Sequence, residues 1–170
     1  MKKIAVFGKP GSGKSTLSRD LASATGIQLH QLDSILYKKT GEQIDRKAFV
    51  EAHENMLSSA RWIIDGLGPM ALFNKRLEAA DTLIYIDLPY VTSYWFVTKR
   101  LLKGLVEKPE GWPDGSSIVK GTLQSYQTLR RCPEFWNENF MQKLNNVSLH
   151  KSVYIIQTTS ELNGFVHAHI

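Results

Sequence analysis

The chain has 170 residues, 42% of them hydrophobic, which is enough to bury one core and argues for a single domain. Its formal net charge of +5 and isoelectric point near 9.3 suit polyanionic ligands, meaning nucleotides or nucleic acid, without choosing between them. A lone cysteine, Cys132, excludes an intrachain disulfide and a cysteine-based zinc site. No apolar run approaches the ~20 residues that cross a bilayer, and "MKKIAVFGKP" lacks the apolar stretch of a signal peptide, so a cytoplasmic protein with no membrane association is expected.

In chain order, short apolar runs alternate with stretches of helical periodicity, the pattern of an α/β fold with a mostly parallel sheet. "KIAVF" is the first predicted strand, and Leu17, Leu21 and Ala24 then recur at helical spacing. Gly26 stands where a helix ends, so the first helix is predicted over Lys14–Thr25. "IQLHQ" is the second strand. Asp45 is placed to cap a helix whose inward face is Phe49, His53, Met56, Leu57 and Ala60. "RWIID" and "TLIYID" follow as strands three and four. The next helix carries Tyr94, Val97, Thr98, Leu101 and Leu105 on one face, with Lys99, Arg100 and Lys103 largely on the other. Prolines and glycines then interrupt regular structure over 104–117. A long helical segment is expected to about Arg131, to be interrupted by Pro133, and Phe135, Trp136, Phe140 and Leu144 resume an apolar face. "SVYIIQ" is the fifth strand. The stretch from about 104 to 133 reads as a lid-like cover, and His167 and His169 as part of a frayed end.

Gly8, Gly13, Lys14 and Ser15 fit G-x-x-x-x-G-K-[ST], between a buried strand and a helix. The loop Gly8, Pro10, Gly11, Ser12, Gly13, Lys14, Ser15, Thr16 is expected to wrap backbone N–H groups around the phosphates of a nucleoside triphosphate, at the positive end of the first helix. Lys14 supplies a point charge to the β- and γ-phosphates, and the Ser15 hydroxyl a ligand for Mg²⁺. Asp65, at the carboxyl edge of strand three, is the expected partner of that metal, with Asp87 on strand four a weaker candidate because Pro89 suggests a cap or turn there. Asp33 is placed either to take the proton of an acceptor hydroxyl or to join the metal shell, unless it serves only an Asx turn or helix cap. Transfer of a phosphoryl group calls for cations around it, and Arg76, Arg100, Arg130 and Arg131 are the set, Arg100 and Arg131 ranking first.

With this loop, Asp33, "IIDG" and a late basic segment in order, the sequence resembles the nucleoside and nucleotide kinase branch of P-loop proteins. Within it, the sequence is most similar to the small adenylate-kinase-related proteins labelled topology modulation proteins. The resemblance implies a three-layer P-loop fold, a five-stranded parallel sheet of order 2-3-1-4-5 with helices on both faces and a helical lid. It also implies a turn at Gln157–Thr159 lying against the nucleotide base. It departs from adenylate kinases after "IIDG", where "LGPMAL" brings no arginine until Arg76, and from the closer family in having Gln31 two residues before Asp33. The reading is an ATP- and Mg²⁺-dependent phosphotransferase acting on an unidentified small molecule, a nucleoside or nucleotide among the candidates. The alternative is an ATP-binding regulator associated with nucleic acid and hydrolysing ATP slowly, although no nucleic-acid-binding motif supports it.

Overall fold

The computed structural model describes residues 1–36, 44–104 and 118–170. Five parallel strands form one sheet: β1 (Lys3–Gly8), β2 (Leu29–Gln31), β3 (Trp62–Asp65), β4 (Thr82–Ile86) and β5 (Ser152–Ile156), in the order β2-β3-β1-β4-β5. This is the predicted order. Apart from the half-buried Lys3 that opens β1, the central strands are buried throughout, as continuous apolar runs such as "IAVF", "WII" and "TLIYI" require when helices cover both faces.

Eight helices complete the described chain: α1 (Lys14–Thr25), α2 (Leu32–Leu36), α3 (Arg46–Ser58), α4 (Met70–Ala79), α5 (Tyr90–Gly104), α6 (Ile118–Phe135), α7 (Glu138–Val147) and α8 (Thr159–His169). Helix α1 has the predicted bounds, and Gly26 ends it in the left-handed conformation at φ 65°. Asp45 caps α3 by accepting from the Lys47 amide. Phe49, His53 and Met56 face inward as predicted, whereas Ala60 lies beyond the helix and is exposed.

The sheet divides the interior in two. On one side Ile4, Val6, Ile63, Ile84 and Ile86 meet Leu17 and Leu21 of α1 and Phe165 of α8. On the other, Phe7 and Tyr85 pack with Phe73, Trp136 and Phe140, all within about the 4.5–7 Å centroid spacing at which aromatic pairs attract.

Three expectations change. Pro133 does not interrupt its helix: α6 runs two residues past it to Phe135, so the proline stands near the end of the helix and marks its close rather than a break. The carboxyl end is not frayed, since His169 stacks on the Phe165 ring at 4.4 Å and meets Tyr154 edge-on. Of the cover expected over 104–133, residues 105–117 lie outside the described residues, as does the Leu105 position. The described remainder is α6, which packs against α5 through Tyr94 stacked on Tyr126 and a hydrogen bond between the Thr98 and Tyr126 hydroxyls at 2.7 Å.

Candidate phosphate-binding and acceptor site

Parallel register brings the candidate residues to one edge. Val6 of β1 pairs with Asp65 of β3, Asp65 with Gln31 of β2, and Gly8 with Ile86 of β4. The chain leaving β1 therefore turns beside Asp65 on one hand and Asp87 on the other, with Asp33 two residues past Gln31, at the carboxyl edge where open parallel sheets bind ligands.

The loop Gly8–Thr16 is clasped on its outer side by protein. A Cβ at Gly8 would stand 2.3 Å from the Ile86 carbonyl oxygen, and one at Gly11 2.5 Å from that of Ser93. One at Gly13 would stand 2.7 Å from Leu162 Cδ2 of α8. Gly11 and Gly13 also have φ of 68° and 86°, a region other residues seldom enter. The Ser12 amide donates to the Lys9 carbonyl at 3.3 Å and that of Thr16 to the Gly13 carbonyl at 3.1 Å. The amides of Gly13, Lys14 and Ser15 have no acceptor among the described residues. That is the donor set an oligophosphate takes at the start of a helix.

Lys14 Nζ donates to the Lys9 carbonyl at 2.8 Å, so the charge sits folded over its own loop. Ser15 Oγ donates to Asp65 Oδ2 at 2.8 Å. The other oxygen, Asp65 Oδ1, is buried without a partner among the described residues, and burial pushes the Asp65 carboxyl above the usual carboxylate range against the opposing pull of Lys14 and the Ser15 hydrogen bond. A buried carboxylate atom left unpaired is costly. A hydrated divalent cation held between Ser15 and Asp65 would satisfy it, so the residues present fit the metal expected from the sequence.

Asp33 lies in the first turn of α2, exposed, beside the Gly66 turn: a Cβ at Gly66 would be 3.9 Å from Asp33 Oδ1. Arg100 approaches from α5. Its guanidinium donates to Ser125 Oγ of α6 at 2.9 Å, and desolvation lowers its pKa while the Asp33 charge acts in the opposite sense. Lys14, Ser15, Asp65, Asp33 and Arg100 thus converge. Arg131 is not drawn in with them: it is exposed on α6, with Nε 3.7 Å from Glu134 of the same helix. Arg130 is exposed on α6 too, and Arg76 lies buried behind the Gly66 turn rather than over the phosphate loop.

Asp87 has a different occupation from the metal role weighed for it. It forms an ion pair with Lys9, whose side chain is only 3% exposed, and accepts from the Tyr85 hydroxyl at 3.1 Å. Lys9 also stands 4.7 Å from the centre of the Tyr90 ring. Cys132 of α6 is buried close enough to Lys9 and Lys14 to feel their charges, and burial dominates, raising its thiol pKa. Sequence reading missed this anchorage of the loop through Lys9, although the register contained its signal: Gly8 opposite Ile86 places Lys9 opposite Asp87. Of the Gln157–Thr159 turn, the amides of Gln157 and Thr158 both donate to Glu161 in the capping box that starts α8. No group of three or more histidine, cysteine or acidic side chains placed to hold a metal occurs among the described residues, His167 and His169 included.

No family model matches the chain. Curated shikimate kinases from Rhodococcus erythropolis and Mycobacterium bovis are each 31% identical to it over 99 residues. The alignments cover 51% of this chain and 59% and 56% of those proteins, so the chain spans little more than half the length of the curated relatives it matches. A crystal structure of a shikimate kinase from Bacteroides thetaiotaomicron superposes with a TM-score of 0.55, covering 97% of this chain and 94% of that one at 12% identity. The fold is thus that of a P-loop kinase: an α/β sandwich with a five-stranded parallel sheet in the order 2-3-1-4-5.

Proposed function

We propose that the protein is a kinase that transfers a phosphoryl group from ATP, in the presence of Mg²⁺, to a hydroxyl of a small molecule. The observation that carries this reading is the Ser15–Asp65 hydrogen bond at the foot of the glycine loop, with Asp33 across the Gly66 turn from it. Donor-side and acceptor-side groups meet at one sheet edge, as in-line transfer demands.

In this reading the free amides of the loop bind the donor's phosphate oxygens, and Lys14 leaves the Lys9 carbonyl to meet the β- and γ-phosphates. Ser15 and Asp65 hold the metal, which when bound neutralises charge on the phosphates. Asp33 orients the acceptor and takes the proton of its hydroxyl as the oxygen attacks the γ-phosphorus and ADP departs. Arg100 stabilises the charge on the transferred group from the α5 side. The relatives' name supports a small hydroxylated acid such as shikimate as acceptor. The resemblance to adenylate-kinase-related proteins supports a nucleoside or nucleotide.

The test is incubation with ATP and Mg²⁺ and a panel of shikimate and related hydroxy acids, nucleosides, nucleoside monophosphates and small polyols, read by product mass. One acceptor gaining a single phosphoryl group, only when Mg²⁺ is present, is the expected result. ATP bound tightly with no phosphorylated product from any class would overturn the reading.

A further inference from the structure

Arg76 is fully buried in α4, and among the described residues no carboxylate lies within ion-pair distance of it. Burial lowers its pKa to about 10, still a cation at neutral pH. Asp65 favours the charge from across the turn without pairing with it, and burial outweighs that pull, so the cation needs further compensation. Part of it is backbone: Nη2 donates to the Gly66 carbonyl at 2.6 Å and to the Leu67 carbonyl at 3.0 Å, and the guanidinium lies 5.3 Å from the centre of the Phe73 ring, while Nε and Nη1 are buried with no partner among the described residues.

Those two carbonyls belong to a turn that has little room to move elsewhere. Gly66 and Gly68 take φ of 115° and 64°. A Cβ at Gly66 would stand 3.3 Å from Leu32 Cβ, and one at Gly68 3.2 Å from Leu32 Cδ1. The turn is therefore held between Arg76 behind it and the start of α2, with Leu32 and Asp33, in front. Because the peptide unit is planar and trans, drawing both carbonyls toward Arg76 points the N–H groups of Leu67 and Gly68 away from it. The same turn continues directly from Asp65.

We infer that Arg76 is a positioning residue for the acceptor side of the site. By holding the Gly66 and Leu67 carbonyls it fixes the wall against which Asp33 presents its carboxylate. This rests on the reading of Asp33 as the acceptor residue. It assigns Arg76 no contact with ATP or with the transferred group.

The test uses Arg76→Met and Arg76→Lys in the full chain, with two readouts. Backbone hydrogen exchange needs no acceptor: exchange over residues 66–68 is expected to quicken at least tenfold in Arg76→Met, less in Arg76→Lys, with α1 unchanged. Kinetics with the acceptor found for the wild type are expected to show an acceptor KM raised tenfold or more and an ATP KM within twofold, partly restored in Arg76→Lys. Should Arg76→Met not fold, Arg76→Lys carries both measurements. Unchanged exchange in the turn, a loosened turn with unaltered acceptor KM, or equal increases in both KM values would each overturn the inference. A wild type that phosphorylates nothing would instead sink the kinase reading, while the exchange result would still decide whether Arg76 holds the turn.

Discussion

Lys14 and Asp33 divide the work of the proposed reaction, and single substitutions separate them. Among the described residues the hydrogen bond of Lys14 goes to its own loop, at the Lys9 carbonyl, so Lys14→Ala should keep the fold and lower transfer by roughly 10²–10³-fold, the scale of losing one charge-stabilising donor. A melting temperature equal to the wild type's alongside unchanged turnover would show that Lys14 does not meet phosphate. Asp33→Asn keeps the shape and removes the base. It should abolish acceptor phosphorylation while altering ATP affinity less than about threefold, measured by calorimetry. A collapse of ATP affinity would place Asp33 in the metal shell. The placement of these residues at the carboxyl edge of the sheet was legible in the sequence because each proposed role demands its residue type at a fixed distance from a strand end. The arginines divide, since a guanidinium on a long stem takes its partner from the tertiary fold: Arg100 lies toward Asp33 as expected, whereas Arg76 went behind the turn and Arg131 outward.

At the level of elements, the glycine loop is fixed by what surrounds it. Lys9 and Asp87 join the ends of β1 and β4, Tyr90 starts α5 beneath the lysine, and Leu162 of α8 closes on Gly13. Lys9 is buried, so Asp87→Asn would leave its charge without a counter-ion. Removing one partner of a buried pair costs about 3–5 kcal/mol, and the partial exposure of Asp87 puts the expected loss near the lower end. With roughly 2–4 °C per kcal/mol for a chain of this size, the melting temperature should fall by about 5–12 °C. A loss under a degree would mean that water already screens the pair. The strands, α1 and the α3 cap followed from apolar runs and capping residues. The length of α6 did not, because a proline reads as a break unless its place relative to the helix end is known, and that end is set by packing of Trp136 into the aromatic cluster.

Over the whole molecule, the sheet order was legible through resemblance rather than through the strands themselves, whose apolar runs say that they are buried but not which neighbours they take. One global property follows from a group that periodicity placed correctly but could not characterise. His53 is fully buried with neither ring nitrogen paired among the described residues, and burial together with the charges of Arg76 and Lys75 lowers its pKa to about 4. The unfolded chain therefore binds this proton more readily than the folded one. His53's contribution is intact above pH 6.5 and is lost as pH falls from 6.5 toward 4, by about 3 kcal/mol at most. Denaturant titrations should show His53→Leu losing less stability over that interval than the wild type, and an identical slope would contradict the assignment. The claim on which the rest depends is the destination of the γ-phosphoryl group. Its most direct test follows label from γ-labelled ATP in the wild type and in Lys14→Ala, with Mg²⁺ and the acceptor panel present. Label is expected in an organic phosphate in the wild type and is expected to be lost in Lys14→Ala. Label recovered solely as inorganic phosphate, whatever acceptor is offered, would contradict that claim.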